Sequence, residues 1–165
     1  MNKDRIRYFF KRPNEISAEV LDQIQNLIKR GGSVGTAWLK ENLEDAFLIG
    51  YATHRGRVVG SVTHKRPKRK YREKIEGATG LNLSGYLERG YTTVDPKYRF
   101  QDIADVLIKG LIKRSPGKKI YVTINMANIP PLKLTYKNGM FLAAKFTNPR
   151  TGHEIGVFTN QDVSC

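Results

Sequence analysis

A strand, a tight polar turn and a helix follow one another between Tyr86 and Ile112, and this order can bind an anion. The segment from Tyr86 to Val94 is rich in Tyr, Thr and Val, which favour strands. Asp95 and Pro96 end the strand, because proline has no N–H for a ladder and restricts the residue before it. The helix that follows begins with free backbone N–H groups at the positive end of its dipole. We therefore expect an anion site here, typically for phosphate.

Apolar residues take up helical spacing after the turn, which predicts a helix that Ser115 to Gly117 closes. Its expected buried face consists of Ile103, Val106, Leu107 and Leu111. The helix would hold the anion-binding turn against the rest of the fold.

The turn resembles motif A of the GNAT superfamily of N-acetyltransferases, in which Val-x-Pro-x-Tyr-Arg precedes a glycine-rich run that ends in Gly or Ala. The matching residues here are Val94, Pro96, Tyr98, Arg99, Ile103 and Ala104. Phe100 and Asp102 stand where glycines are usual in the family. In GNAT proteins this turn wraps the pyrophosphate of coenzyme A, so the resemblance implies acetyl-CoA as the cofactor.

A second segment is similar to a later motif of the same family, an Asn followed by a Tyr and then by a Gly. Asn128 and Gly139 keep the family spacing. Thr135 stands at the tyrosine position, and Tyr136 follows it. With the order of strands between the two motifs, the resemblance covers nearly the full chain.

The resemblance implies which residues hold the cofactor. Strand residues would pair with the pantetheine arm, the turn would hold the pyrophosphate, and an asparagine on the later helix would contact the cofactor. These residues are Thr92, Thr93 and Val94 on the strand, Arg99, Phe100, Gln101, Asp102, Ile103 and Ala104 at the turn, and Asn128. For Arg99, a solvated turn residue is the alternative.

Acetyl transfer to an amine also needs a base and a means of stabilising the leaving thiolate. Glu88 lies six residues before Val94, which is the spacing of the general-base glutamate in the histone-acetylating branch of the family. A carboxylate in a half-apolar cleft can take a proton from an amine near neutrality. The alternative is a surface glutamate paired with Arg89 or a nearby lysine.

The family's general acid is a Tyr whose hydroxyl reaches the leaving sulfur, and direct alignment puts Thr135 there. A threonine is short and is a poor acid. Tyr136 points about 100° away around a regular helix, so it replaces that Tyr only if Pro130 and Pro131 shift the helix register. Otherwise solvent protonates the thiolate.

The whole pattern predicts the order β-α-α-β-β-β-α-β-α-β-β in a single domain over residues 1–165. This is the order of the GNAT fold, an α/β fold with a mixed, mostly antiparallel sheet flanked by helices. Ser17 is expected to cap the first helix, which Gly31 and Gly32 end. A second helix is expected over about residues 36–43, with Trp38 facing inward, in the core or on the wall of an acceptor pocket.

The composition is that of a globular protein, with 39% hydrophobic and 27% charged residues. No apolar run reaches membrane-spanning length, and the first residues lead into no signal-peptide core. Cys165 is the only cysteine, which excludes an internal disulfide and fits a reducing cytoplasm. The three histidines lie far apart, so we expect no structural metal.

The formal net charge is +14, and Lys65 to Lys74 alone holds seven basic residues and one acidic residue. We expect this basic run to lie in a long, flexible connection. A basic surface favours polyanions, so an acidic or nucleic-acid-associated acceptor is expected near the run. Solubility is the simpler explanation of the remaining charge.

Two functions are therefore open. The first is an acetyl-CoA-dependent N-acetyltransferase. The second is a GNAT-shaped module with lost or altered cofactor use, which would bind nucleic acid through its basic surface or use another acyl donor. Closing strands pair protomers in many members of the family, which leaves the oligomeric state open between monomer and dimer.

Overall fold

The computed structural model describes residues 5–32 and 36–161. In these ranges the strands are β1 (Arg7–Lys11), β2 (Leu48–His54), β3 (Arg57–Lys65), β4 (Leu87–Val94), β5 (Ile120–Asn125), β6 (Phe141–Thr147) and β7 (Glu154–Thr159). The helices are α1 (Ala18–Gly31), α2 (Leu39–Glu44), α3 (Arg69–Thr79), α4 (Ile103–Lys113) and α5 (Ile129–Lys137). Short 3₁₀ turns cover Pro13–Glu15 and Pro96–Tyr98.

The strands of the described ranges form a seven-stranded sheet in the order β1-β2-β3-β4-β5-β7-β6. β1 with β2, β2 with β3, β5 with β7 and β6 with β7 pair antiparallel. β4 and β5 pair parallel, with Leu87 opposite Ile120 and Glu88 opposite Tyr121. The predicted mixed, mostly antiparallel sheet is confirmed, and the order of elements agrees with the prediction except that α3 is added between β3 and β4.

The chain divides into two compact units, here called the first unit and the second unit. The first unit comprises the described residues of Met1–Arg66 together with Arg89–Pro116. The second unit comprises Pro67–Glu88 together with the described residues of Gly117–Cys165. The single domain over residues 1–165 stays a prediction. No helix within the described ranges is long and apolar enough to cross a membrane.

Helix α1 is fixed in the first unit by a capped start and an apolar stripe. Ser17 caps it as predicted, since its Oγ accepts a hydrogen bond from the N–H of Val20 at 3.2 Å. Gly32 follows the helix in the left-handed conformation, with φ 66°. The core beside α1 includes Ile24, Leu27, Ile28, Leu39 and Leu43. Burial of each such side chain contributes roughly 1.5–3 kcal/mol, so the stripe orients α1 and α2.

Helix α4 approaches the sheet of the first unit closely at two glycines. A Cβ on Gly60 of β3 would lie 2.7 Å from Cγ2 of Ile103. A Cβ on Gly110 would overlap the ring of Phe10. A larger residue at Gly60 would therefore displace Ile103, the first residue of α4, and with it the start of the helix.

The buried face of α4 differs from the predicted face at one position. Val106 is 37% exposed, and Ile108 is buried in its place. Ile103, Leu107 and Leu111 are buried as predicted. At 3.6 residues per turn, positions 106 and 108 both lie about 100° from the centre of the stripe that these three residues form. Periodicity alone therefore does not choose between them.

Helix α2 starts later than predicted, and Trp38 does not face the core. The helix begins at Leu39, and Trp38 precedes it in the left-handed conformation, with φ 67°. The Trp38 side chain is 64% exposed. A residue in the left-handed conformation departs from the helical path. The helical spacing that placed Trp38 on the inward face therefore does not apply to it. A core position for Trp38 is wrong, and its place on the wall of an acceptor pocket stays a prediction.

The basic run, expected to be flexible, is mostly helical. Helix α3 covers Arg69–Thr79 and ends at Gly80, which has φ 79°. It packs in the second unit through Ile75, its buried residue, on a core that includes Leu83, Tyr86, Tyr121 and Val157. One buried apolar residue does not create a helical period, and the glycine at position 77 also argues against a helix. The prediction of a flexible connection was therefore wrong.

A buried hydrogen bond joins the end of β3 to the segment after α4 within the first unit. Nδ1 of His64 lies 3.0 Å from Oγ of Ser115, and both side chains are buried. Burial, and secondarily the positive charge of Arg89, lowers the pKa of His64 to about 3. The imidazole is therefore neutral in the folded protein at neutral pH.

The neutral His64 makes the free energy of unfolding depend on pH. Because its folded pKa of about 3 lies below the unfolded value of 6.5, the stability it contributes is lost as the pH falls from 6.5 towards 3. Linkage gives a loss of about 2 kcal/mol between about pH 7 and about pH 5. In urea unfolding, His64→Gln should lack this loss, whereas His153→Gln, at an exposed position, should retain it. An equal loss in all three proteins would contradict the buried, neutral state of His64.

Candidate functional site

The turn after β4 is held by its own hydrogen bonds. Oδ1 of Asp95 accepts from the N–H of Lys97 at 3.0 Å, and the N–H of Tyr98 donates to the carbonyl of Asp95 at 2.8 Å. The N–H of Asp95 donates to the carbonyl of Val59 on β3 at 2.8 Å. Pro96 begins the 3₁₀ turn, where its missing N–H costs nothing. These bonds fix the end of β4 and the path of the chain into α4.

The tip of the β2–β3 hairpin supports the same turn. Nδ1 of His54 lies 2.6 Å from Oη of Tyr98, and the two rings meet edge to face with centroids 5.3 Å apart. The tip itself turns through Arg55 and Gly56, which have φ values of 53° and 77°. Exposed cations near the tip and in the turn include Arg57, Lys97 and Arg99. Their charge favours an anion at the turn.

Two residues of the turn adopt the left-handed conformation. Phe100 has φ 64° and Asp102 has φ 58°. Motif A has glycines at these positions, and glycine adopts this conformation without a steric penalty. For other residues the penalty is roughly 1–2 kcal/mol each, less for Asp, whose short side chain tolerates it. The chain thus keeps a glycine-like backbone at both positions without the glycines.

The backbone N–H groups of residues 100–104 donate to no acceptor within the described part of the chain. The flanking bonds run from the N–H of Arg99 to the carbonyl of Pro96 at 3.5 Å and from the N–H of Val106 to the carbonyl of Asp102 at 3.0 Å. The side chain of Asp102 makes no capping bond to α4. Left-handed residues within a turn direct successive N–H groups into a concave, anion-binding arrangement. The start of α4 adds the positive end of its dipole.

The Asp102 carboxylate is the one acidic group of residues 100–104, and it is exposed. Burial, and secondarily the charge of Asp102, raises the pKa of Tyr8 on β1. The carboxylate therefore acts electrostatically on Tyr8, while the amides of the turn are left without a side-chain cap. Water screens the charge of an exposed carboxylate. The binding of phosphate by the main chain of the turn, with Arg99 adding positive charge, stays a prediction.

A strained tyrosine bends β4 just before the turn. Tyr91 has φ 52° although it lies within a strand, which is typical of a bulge. Nδ2 of Asn42 on α2 donates to its hydroxyl at 2.9 Å, and Nζ of Lys65 lies 4.3 Å from the centre of its ring. These two contacts hold the bend. Beyond it, Thr92 is exposed, and Thr93 and Val94 are half-buried.

In the second unit, Glu88 is buried and hydrogen-bonded. Oη of Tyr121 donates to Oε2 of Glu88 at 2.9 Å, because the parallel register places these residues opposite each other on β4 and β5. Burial, followed by the charge of Glu88, raises the pKa of Tyr121, so the hydroxyl stays protonated as a donor. The alternative of an exposed surface glutamate is wrong, since Glu88 is 5% exposed.

Helix α5 places the residues of the later motif on different sides. Asn128 precedes the helix, is exposed and makes no side-chain capping bond. Thr135 is buried, whereas Tyr136 is exposed and its ring meets Phe158 edge to face with centroids 5.3 Å apart. Pro130 and Pro131 therefore do not turn Tyr136 towards the position of Thr135. The role of either residue as a general acid stays a prediction.

The sequence did not predict three features around the turn and Glu88: the contact of His54 with Tyr98, the hydrogen bond from Tyr121, and the conformation of Tyr91. His54 and Tyr98 meet across 44 positions, and no pattern in the sequence pairs them. Tyr121 follows from the register of β4 against β5, which the sequence does not specify. Tyr91 follows Gly90 in the middle of a strand, and a glycine in a strand is a weak sign of a bulge. Among the described residues, no cluster of His, Cys, Asp and Glu could hold a metal ion.

Solved structures resemble the whole of this architecture. Arabidopsis thaliana NAA60 in complex with acetyl-CoA matches 93% of this chain and 98% of its own, with 16% identity and a TM-score of 0.69. An acyl-CoA N-acyltransferase from Pseudomonas aeruginosa matches 93% and 99%, with 12% identity and a TM-score of 0.69. The ribosomal-protein-S18-alanine N-acetyltransferase of Escherichia coli matches 93% and 92%, with 12% identity and a TM-score of 0.65.

No family model and no curated protein matches the sequence. At identities this low the likeness establishes the fold alone. The chain has the GNAT fold, as the two motifs predicted.

Glycine at the two left-handed positions should stabilise the protein. Phe100→Gly and Asp102→Gly remove the steric penalty of the left-handed conformation. Glycine also raises the entropy of the unfolded chain, which offsets part of this gain. Each substitution should therefore raise the free energy of unfolding by about 1 kcal/mol or less. Gln101→Gly, at a position without a positive φ, should lower it by about 0.5–1 kcal/mol. Chemical denaturation measures all three. Destabilisation by Phe100→Gly equal to that by Gln101→Gly would contradict the strained turn.

Proposed function

We propose that this protein is an acetyl-CoA-dependent N-acetyltransferase. The observation that carries the proposal is the run of backbone N–H groups at residues 100–104, which are left without protein acceptors at the start of α4. Such a run fits a pyrophosphate. The GNAT fold supports the same conclusion, because one structure with this fold is NAA60 in complex with acetyl-CoA.

Residues of β4 and of the turn after it would bind and orient the cofactor. The amides from Phe100 to Ala104 hold the pyrophosphate, and Arg99 adds charge. The backbone of Thr92, Thr93 and Val94 would pair with the pantetheine arm, and these residues are exposed or half-buried. Bound acetyl-CoA supplies an activated acyl thioester. Asn128 is proposed as a further contact to the cofactor.

Glu88 would take the proton from the acceptor ammonium. The hydrogen bond from Tyr121 orients its carboxylate, and burial keeps competing water from it. Of the two residues proposed as the acid, Thr135 is buried and short and Tyr136 is exposed. Protonation of the thiolate by solvent is therefore the simplest route consistent with these side chains.

The acceptor is proposed to be an amine on an acidic or nucleic-acid-associated molecule in the cytoplasm. The net charge of +14 and the basic run favour such partners, and the lone cysteine is consistent with a reducing compartment. The alternative is a binding module that has lost or altered cofactor use. Asp102 and Thr135 favour this alternative, since they replace a glycine and a tyrosine of the family pattern.

Isothermal titration with acetyl-CoA separates the two functions. The enzyme should bind acetyl-CoA with a dissociation constant in the micromolar range, which is the usual range for substrates. Arg99→Gln should weaken binding, and Arg150→Gln, an exposed arginine of the second unit, should leave it unchanged. Absence of heat at high micromolar acetyl-CoA would favour the binding module over the enzyme.

Loss of the base should reduce turnover most near neutral pH. General-base catalysis contributes about a hundredfold or more, so Glu88→Gln should lower kcat by about that factor near neutrality and less at higher pH, where the amine loses its proton unaided. Acetyl-CoA affinity should not change. Glu154→Gln, at an exposed glutamate of β7, is the matched control. Unchanged turnover of Glu88→Gln at neutral pH would remove Glu88 as the base.

A further inference from the structure

We propose that α3 is a nucleic-acid-binding helix, which holds a phosphate backbone against its outer face. The proposal concerns the surface of the second unit alone and does not require acetyl transfer. It also makes the proposed function more specific, because the proposed acceptor is acidic or nucleic-acid-associated and α3 would bind nucleic acid.

The orientation of α3 is fixed, so its outer face is defined. Ile75 is 2% exposed and packs on the core of the second unit. Arg72 and Glu76 are half-buried and form an ion pair at 3.5 Å on the flank of the helix. The side away from Ile75 is exposed: Lys70, Glu73 and Gly77 lie opposite Ile75, and Arg69 and Lys74 lie on the two margins of this outer face.

The outer face presents lysines that the protein itself does not neutralise. Arg69 pairs with Glu73 at 2.7 Å, so this arginine is already balanced. Lys70 and Lys74 lie one turn apart, and within the described ranges neither forms an ion pair. Like charges at this spacing repel each other and destabilise a helix. The two lysines therefore lower the stability of the helix, and an anionic partner would relieve their repulsion.

The start of α3 is also unfavourable for folding. Its first turn contains no acidic residue, and Lys68 stands at the capping position without a side-chain capping bond. Cations at this end oppose the helix dipole. Gly77 adds a flexible residue inside the helix, and a Cβ there would meet no atom within 4 Å. Departures from local folding rules that no packing explains are expected at functional sites.

The outer face suits the phosphate backbone of a nucleic acid better than it suits the irregularly spaced carboxylates of an acidic protein. Lys70 and Lys74 form a row of positive charge along the helix, which suits the regular spacing of phosphates. Gly77 continues this side without a side chain, so a sugar–phosphate backbone can approach closely.

Fluorescence anisotropy tests the proposal with the full chain and a labelled oligouridylate of about 20 nucleotides, titrated between about 0.05 M and about 0.3 M sodium chloride. The double variant Lys70→Gln/Lys74→Gln should bind about tenfold more weakly at the lowest salt, and the slope of log affinity against log salt should fall by about 1.4. The matched control Lys29→Gln/Lys40→Gln removes the same charge from exposed positions on α1 and α2. It should keep the wild-type slope within about 0.5.

The outcomes separate the proposal from its competitors. Equal losses in the two double variants would show attraction by net charge alone and would overturn it. Binding of polyglutamate as tightly as the oligouridylate would overturn the choice of partner. Acetyl-CoA affinity should be unchanged in every variant, so failure of the proposed enzyme function is detected separately.

Discussion

The site depends on one constraint, five consecutive backbone N–H groups that the protein brings together without giving them acceptors. A buried donor without a partner is costly, and a cluster at the surface is satisfied by water or by an anion. Phe100 and Asp102 hold the cluster in shape by adopting the left-handed conformation. The chain accepts strain at two residues, and the proposed pyrophosphate site depends on the donors that this backbone leaves without protein acceptors.

The rest of the first unit keeps this turn in place. Gly60 allows Ile103 to seat the start of α4 on β3, and His54 holds Tyr98 from the hairpin tip. Tyr91, fixed by Asn42 and Lys65, bends β4 before the turn begins. The supports come from the sheet, a hairpin and a neighbouring helix, so the turn is positioned by tertiary contacts. Its own sequence could therefore diverge from the glycine-rich pattern while the backbone path persisted.

The elements of the fold were largely predictable, because capping, periodicity and proline act locally. The cap at Ser17 was predicted correctly. The order of the strands and helices was also predicted correctly, apart from α3. The failures came where local patterns are weak. Helix α3 has one buried apolar residue, so its pattern resembled a charged loop, and Trp38 lies just outside a short helix in a left-handed conformation. Tyr121 was missed because strand register, which places it opposite Glu88, is a long-range property.

Amide chemical shifts of the full chain during titration with acetyl-CoA test the central claim most directly. Anion binding by the turn predicts that the amide signals of Phe100 to Ala104, which lack protein acceptors, move most and saturate together with the binding isotherm. The amide of Val106, already bonded to the carbonyl of Asp102, should move little. Saturable binding that leaves the five amides unshifted would contradict the account, because the cofactor would then be held elsewhere.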